Sequence, residues 1–141
     1  HIFVLEIQTE KTMNRIKKIF FVASFLACVD SCSAKEIETI SPADFSERIQ
    51  SDSAVVVIDL RRQSEFDSGH LKDAILIDFL NTENFDNEIQ KLDKGKKYYV
   101  YCRSGRRSHL AAVKMQEIGL SVVDMAGGII DWQKNNLPIV K

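Results

Sequence analysis

The sequence predicts an α/β domain with a mainly parallel central sheet flanked by helices. Two observations carry this prediction. Short apolar runs alternate along the chain with segments of helical spacing, which is the order of elements in folds built from β-α-β units. The run Val55–Ile58 is β-branched and lacks polar alternation, as expected for a strand that is buried on both faces of a parallel sheet.

The first elements can be assigned from residue 41 onward. Ser41, Pro42 and Asp44 are residue types preferred at the N-cap, the first position and the first turn of a helix. Phe45 and Ile49 lie four positions apart and would share one face of that helix. Four apolar runs are predicted as strands, at residues 55–58, 75–77, 98–101 and 122–123.

Helices are predicted after the second and third of these strands, where apolar residues lie three or four positions apart. The residues are Phe85, Ile89 and Leu92 in the first case, and Leu110, Val113 or Lys114, and Ile118 in the second. Gly119 fits the C′ position at which the second helix would end. Glycines 127 and 128 mark a turn before a short last helix over 129–135.

The first 34 residues are expected to be processing sequence and not part of the fold. Residues 1–12 look like an upstream extension. From Met13, basic residues precede an uncharged apolar run over 19–29, and small residues follow up to Ala34, which is the layout of a bacterial secretory signal peptide. We therefore expect a signal peptide over 13–34, export to the periplasm, and a domain over 35–141.

Two cysteines at the end of the apolar run leave a second processing route open. Acylation of Cys28 or Cys32 after cleavage would give a lipoprotein with a lipid anchor in the membrane. Neither position fits the common lipobox well, because Phe25 replaces the usual leucine and Asp30 precedes the second cysteine. The alternative is ordinary cleavage after Ala34, and on either route these cysteines are not catalysts.

The composition excludes several classes of function. The 141 residues carry a net charge of −1, which gives no long-range attraction to nucleic acid or to acidic membranes. The three cysteines are odd in number and widely spaced, so they do not form a disulfide framework. The three histidines form no ligand-spaced cluster with them, and we expect neither a metal site nor a cofactor.

Cys102 is the residue best suited to chemistry, because it follows the predicted strand 98–101. Ligands of open α/β sheets bind at the carboxyl ends of the strands. A cysteine is nucleophilic as its thiolate, which the amino end of a following helix and neighbouring arginines stabilise. Gly105 allows the backbone to curl around the sulfur, and the same cradle would hold an oxyanion. The residues expected to bind substrate are Arg103, Ser104, Gly105, Arg106, Arg107 and Ser108, the last of which would open the helix.

A structural role for Cys102 is the alternative. Free cysteines are often buried and inert, and the arginines would then be ordinary surface residues. That alternative requires a strand end, a cysteine, a glycine and flanking arginines to coincide by chance before a helix, and we therefore favour a reactive thiol.

Three stretches of residues from about 40 to 141 resemble the single-domain rhodanese family. They are VVVIDLRRQSEFDSGHLKDAILID for the first signature, YYVYCRSGRRS for the active-site loop, and GLSVVDMAGGIIDW for the C-terminal signature. The sequence departs from the family at Lys72-Asp73, where Pro-Gly is frequent, which affects only the expected shape of that turn. The resemblance implies a rhodanese-like fold.

The resemblance also implies an activity and residue roles. It implies a sulfurtransferase that takes a sulfane sulfur from a small donor such as thiosulfate and passes it to a thiol or to cyanide, without a cofactor. Cys102 matches the nucleophile that becomes a persulfide, and Arg103 and Arg107 match positions that frame the anionic substrate. Asp59 matches a structural residue at a strand end, and Arg61 is expected either to brace a loop beside it or to bind substrate at the pocket rim.

The histidines are not expected to act as bases. His70 matches a Gly-His pair that we interpret as structural, and His109 is expected to face solvent in the first turn of a helix. A thiolate that its own loop already stabilises needs no separate base.

Two other functions remain open at this point. Related folds use a cysteine and an arginine on oxyanions, as in phosphatases and arsenate reductases. Here four residues separate Cys102 from Arg107, one fewer than in the phosphatase loop, which favours sulfur chemistry. The second alternative is a persulfide carrier or a partner-docking domain with little turnover, and an intact Cys102 does not exclude a carrier.

Overall fold

The computed structural model describes residues 35–141. The signal peptide and the candidate lipid-acceptor cysteines that we expect within residues 13–34 lie outside this range. Among residues 35–141, no helix is both long enough and apolar enough to cross a membrane.

The central sheet has five strands, and every pair of neighbouring strands runs parallel. The strands are β1 (Glu38–Ile40), β2 (Val56–Asp59), β3 (Ile75–Leu76), β4 (Lys97–Tyr101) and β5 (Ser121–Met125). They lie in the order β1-β5-β4-β2-β3, so that β4 is at the centre. The predicted α/β architecture with a mainly parallel sheet is confirmed.

Within residues 35–141, five helices flank the sheet. They are α1 (Pro42–Ser51), α2 (Gln63–Asp67), α3 (Thr82–Gln90), α4 (Arg106–Glu117) and α5 (Gly128–Lys134). The start of α1 is as predicted, because the Asp44 N–H donates to the Ser41 hydroxyl oxygen at 3.2 Å and Pro42 occupies the first turn. This capping bond satisfies one of the N–H groups that a helix end leaves free.

Side chains along β4 alternate between two cores, one on each face of the sheet. Tyr98 and Val100 pack on the side of α3 and α4, whereas Tyr99 and Tyr101 pack on the side of α1 and α5. Full burial of a large apolar side chain contributes about 1.5–3 kcal/mol. Packing on both faces therefore fixes the carboxyl end of β4, where Cys102 follows.

Two elements of the fold have no counterpart in the sequence prediction. Strand β1 has three residues at the edge of the sheet, and its sequence Glu-Thr-Ile has no apolar run to mark it. Helix α2 has only five residues and buries none of them, so it lacks the apolar spacing that predicts a helix. The Glu65 side chain accepts a hydrogen bond from the Arg62 N–H at its start.

The helix after Cys102 begins earlier than predicted and turns a different face to the sheet. It starts at Arg106, so Ser108 is its third residue and does not open it. Leu110, which we predicted on the apolar face, is 51% exposed. Small side chains let the helix approach the sheet more closely than the larger ones would. The buried residues of α4 are Ser108, Ala111, Ala112 and Met115.

Candidate active site

Cys102 directly follows the central strand β4, at the carboxyl edge of the sheet. Its Sγ accepts a hydrogen bond from the Gly105 N–H at 3.1 Å. The side chain is 0% exposed, so a reactant must enter the loop to reach the sulfur. Gly105 is the N-cap of α4 and has a φ of +93°, a conformation that side-chain-bearing residues rarely adopt. The predicted curl of the loop around the sulfur is therefore present.

The amino end of α4 supplies further N–H donors. Arg106, Arg107 and Ser108 are its first three residues, and N–H groups at these positions have no partner within a helix. They also carry the positive end of the helix dipole, which stabilises an anion nearby. The loop therefore places a sulfur atom beside donors suited to a thiolate, a persulfide or an oxyanion.

The first turn of helix α5 binds the backbone of the same loop through two hydrogen bonds. The Ile129 N–H donates to the Cys102 carbonyl at 2.9 Å, and the Ile130 N–H donates to the Arg103 carbonyl at 3.2 Å. The approach is close, because a Cβ atom added at Gly128 would lie 2.5 Å from the Cys102 carbonyl oxygen. Both carbonyl oxygens are thus bound by α5, which leaves amide donors as the loop's free polar groups near the sulfur.

Arg107 is fixed by an acidic partner from another element. Its two terminal nitrogens donate to the two oxygens of Glu65 in α2, at 2.8 and 2.9 Å. The Arg107 guanidinium holds the pKa of Glu65 well below its usual range, at about 2. Glu65 in turn raises the pKa of Arg107. Arg107 therefore lies beside the loop as a partly buried cation whose charge Glu65 partly neutralises. Glu65 itself was not a predicted site residue.

Of the two roles expected for Arg61, the structure supports the bracing of a neighbouring loop and corrects the place at the pocket rim. Its side chain is 5% exposed, and its guanidinium donates to both Asp59 oxygens and to the Gly69 carbonyl. A buried cation with these acceptors braces the turn at Gly69 against the end of β2. Arg61 thus belongs with Asp59 as a structural residue and not with the substrate-binding set.

Tyr101 completes this buried network. Its hydroxyl donates to Asp59 Oδ2 at 2.6 Å and accepts a hydrogen bond from the Leu71 N–H at 3.1 Å. Burial, together with the charge of Asp59, raises the pKa of Tyr101 above its usual range. The network therefore connects the residue before Cys102 to the loop that follows α2.

The Ser108 side chain departs from the predicted role in binding substrate, which leaves the N–H group of this residue as the candidate donor. The side chain is fully buried, and its hydroxyl donates to the Gly105 carbonyl at 3.2 Å. Its other polar neighbour is Asp124 of β5, a buried carboxyl group whose pKa burial raises to about 6. His109 Nδ1 lies 3.5 Å from Asp124 Oδ2. Ser108 therefore supports the loop from inside the protein.

The remaining predicted residues surround the loop or lie away from it. Arg103, Ser104 and Arg106 are exposed and stay candidates for binding an anionic substrate. The His70 ring stacks on Phe66 with 3.7 Å between ring centres, and its Nδ1 lies 3.0 Å from the Phe66 carbonyl, as a structural residue would. Within the described residues, no group of three potential ligands among His, Cys, Asp and Glu could hold a metal ion.

Comparisons with known proteins agree on one family. Residues 41–135 match the family described as the rhodanese-like domain. The YtwF protein of Bacillus subtilis is 32% identical over 103 residues, which cover 73% of this chain and 97% of that protein. A sulfurtransferase of Allochromatium vinosum is 30% identical over 105 residues, which cover 74% of this chain and 95% of that protein. The crystal structure of a rhodanese-related protein from Thermoplasma volcanium aligns with a TM-score of 0.66 at 32% identity, over 73% of this chain and 97% of that one.

Proposed function

The chain belongs to the rhodanese-like family, and from that premise we propose that it is a sulfurtransferase acting through a persulfide on Cys102. The proposed donor is thiosulfate or a similar small anion, and the proposed acceptor is a thiol or cyanide. The observation that supports this function is the hydrogen bond from the Gly105 N–H to the Cys102 sulfur at the amino end of α4.

The proposed reaction has two steps. The Cys102 thiolate attacks the outer sulfur of thiosulfate, a new S–S bond forms, and sulfite leaves with the electron pair of the old S–S bond. Cys102 then carries a persulfide anion, which the loop amides and the helix dipole stabilise. Cyanide or a thiolate attacks the outer sulfur, and the Cys102 thiolate leaves. Two successive half-reactions predict ping-pong kinetics.

The burial of Cys102 supports sulfur transfer over phosphate transfer. The sulfur that the thiolate attacks in thiosulfate is a terminal atom, whereas the phosphorus of a phosphate ester lies behind its oxygen atoms and must come deeper into the loop to meet a thiol that is 0% exposed. A loop with only four residues between Cys102 and Arg107 leaves little room for such an approach. A misplacement of about 1 Å can lower a rate by about 10²-fold.

Thiocyanate formation from thiosulfate and cyanide tests this proposal directly. The wild-type protein should form thiocyanate, and Cys102→Ser should abolish it, because serine cannot hold a persulfide. In protein that keeps residues 28 and 32, the double variant Cys28→Ser/Cys32→Ser is the matched control and should retain wild-type activity. Circular dichroism should show the same fold for all three proteins.

Two further outcomes separate the alternatives. Release of aryl alcohol from an aryl phosphate that depends on Cys102, without thiocyanate formation, would overturn the proposal in favour of a phosphatase. A protein that gains one sulfur atom on Cys102 by mass spectrometry, but passes it on without turnover to small acceptors, would be a persulfide carrier.

We propose in addition that the protein is exported, on the basis of the basic head, apolar run and small residues over 13–34. Expression from Met13 should give a periplasmic protein cleaved near Ala34 or a lipid-anchored protein that begins at Cys28 or Cys32. Cell fractionation and mass spectrometry of the amino terminus distinguish these forms. Cytosolic protein with Met13 still attached would refute export.

A further inference from the structure

Asp124 is a buried carboxyl group close to the first turn of α4. It is 1% exposed, and among the described residues its Oδ1 is the one buried side-chain oxygen or nitrogen without a hydrogen-bond partner. An unpaired oxygen costs less on a neutral carboxyl group than on a carboxylate. The neutral form of Asp124 therefore fits this environment better than the ionised form.

A short series of contacts connects Asp124 to the reactive sulfur. The Ser108 side chain is close enough to Asp124 to lower the pKa of that carboxyl group, and its hydroxyl donates to the Gly105 carbonyl at 3.2 Å. The Gly105 N–H donates to Cys102 Sγ at 3.1 Å. When Asp124 is neutral, the Ser108 proton is free for the Gly105 carbonyl. When Asp124 is ionised, the carboxylate attracts that proton, because hydrogen bonds to charged acceptors are stronger.

Asp124 and Cys102 also lie on the same face of neighbouring strands. Asp124 pairs with Val100 of β4 in the sheet register, and Cys102 follows two residues later on the side of α4. Strand spacing and rise then put their Cα atoms roughly 8 Å apart. An anion on each of them would place two like charges at one helix end, and like charges disfavour each other.

Few other charged groups face Asp124. On α4 the neighbour is His109, and the adjacent Arg107 is bound to Glu65, whereas Arg106 is exposed.

On the sheet, β1 presents the uncharged Thr39 in register with Asp124, and the charged Glu38 of the same strand pairs with Arg48 of α1 on the opposite face. On β4, the other titratable residue of this face is Tyr98, whose hydroxyl donates to the Asp93 carbonyl. Among the described residues, Cys102 and His109 are therefore the ionisable groups that these elements place beside Asp124.

We propose that Asp124 is a positioning residue whose neutral form favours the Cys102 anion, so that ionisation of Asp124 slows sulfur transfer. The inference rests on the proposed function, and it makes the rate of that reaction depend on pH through Asp124. The pKa of about 6 that burial gives Asp124 means that both of its states are populated near neutral pH. Asparagine at this position would mimic the neutral state at every pH.

The test compares kcat/KM for thiocyanate formation between wild type and Asp124→Asn from about pH 5 to about pH 8.5. The ratio of kcat/KM for Asp124→Asn to kcat/KM for wild type should be near one at about pH 5, where the side chain at position 124 is neutral in both proteins. It should rise to about three- to tenfold above about pH 7, where only the wild type carries the carboxylate. A merely structural role would give a ratio that does not change with pH, and a flat ratio overturns the proposal.

Two more variants make the comparison specific. Asp86→Asn removes a carboxylate that is half exposed on α3, and its ratio to wild type should stay near one throughout. His109→Gln alters an exposed residue whose contact lowers the pKa of Asp124, so the substitution should speed transfer near neutral pH. A slower His109→Gln protein there would contradict the proposal even if Asp124→Asn failed to fold.

Alkylation of Cys102 by iodoacetamide separates this inference from the proposed function. The ratio of alkylation rates between Asp124→Asn and wild type should rise with pH in the same way as the ratio for transfer. A rising alkylation ratio without any thiocyanate formation would refute the sulfurtransferase and retain the link between Asp124 and Cys102. Thiocyanate formation with flat ratios in both assays would refute the link and retain the sulfurtransferase.

Discussion

At the residue scale, the charge available at Arg107 is set by Glu65, which lies 42 positions away in sequence. The pair is bidentate and only partly exposed, at 19% for the arginine and 26% for the glutamate. Its geometry restricts Arg107 to one position beside the loop while it reduces the positive charge of the site. Arg103 and Arg106 are exposed and would then supply much of the remaining attraction for an anionic donor.

We predict that Glu65→Gln lowers stability at neutral pH and not in acid. The pKa of Glu65 is about 2 in the folded protein and 4.5 as a free side chain, so its ionised form favours folding above about pH 4.5. That contribution is lost as the pH falls toward 2. The expected loss at pH 7 is roughly 2–3 kcal/mol in the free energy of unfolding, measured by urea denaturation.

Glu88→Gln is the matched control for this measurement. Glu88 pairs with Lys91 on the surface of the protein, and exposed pairs of this kind contribute about 0–1 kcal/mol. A loss of stability for Glu65→Gln that is the same at pH 7 and at about pH 2 would show that the ion pair is not its cause.

The sequence identified the centre of the candidate site better than its supports. Cys102 and Gly105 lie where the motif placed them, because a strand, a glycine and a helix start are local features. The side chains of Arg61 and Ser108 were candidates for binding substrate and instead face the interior, because burial depends on what packs against a side chain. Glu65 and Asp124 were missed for the same reason, since their partners lie on other elements.

At the element scale, α5 acts as a support for the active-site loop. Its first turn binds two loop carbonyls, and Gly128 lies in contact with the loop backbone at a φ of +60°. We predict that Gly128→Ala lowers thiocyanate formation by at least about tenfold and destabilises the protein, because the added Cβ would meet backbone atoms 2.5–2.6 Å away. Kinetic assays and thermal unfolding measure the two effects.

Gly95→Ala provides the control for that substitution. Gly95 is exposed, and a Cβ there would meet only the Asp93 side chain, which can move. Stability and transfer should change little. Full transfer activity in Gly128→Ala would show that the contact between α5 and the loop is not required.

The elements differ in how far the sequence predicts them. Strands β2 and β4 are apolar on both faces, and α1 has a capping residue at its start, so each has a local signal. Strand β1 is stabilised by its pairing with β5, which is formed by residues far along the chain. The face of α4 was mispredicted because the fit of small alanines against the sheet outweighs the hydrophobicity of Leu110 and Val113.

At the scale of the whole molecule, the parallel topology brings the carboxyl ends of all five strands to one edge of the sheet. Asp59 ends β2, Cys102 follows β4, and Gly127 and Gly128 follow β5. Residues separated along the chain thus meet around one sulfur atom. The opposite edge carries none of these groups, so the fold concentrates its chemistry on one side.

The binding of the loop by α5 has a consequence for the order in which the protein becomes functional. A chain is synthesised from its amino end, so Cys102 leaves the ribosome before Ile129 and Ile130, whose amides hold its loop. Edge strand β1 likewise cannot pair until β5 has been synthesised. Contacts between residues so distant in sequence form slowly. The Cys102 thiol is therefore exposed until the rest of the domain has folded around its loop. Newly made chains are then the population in which oxidants and other thiols can react with it.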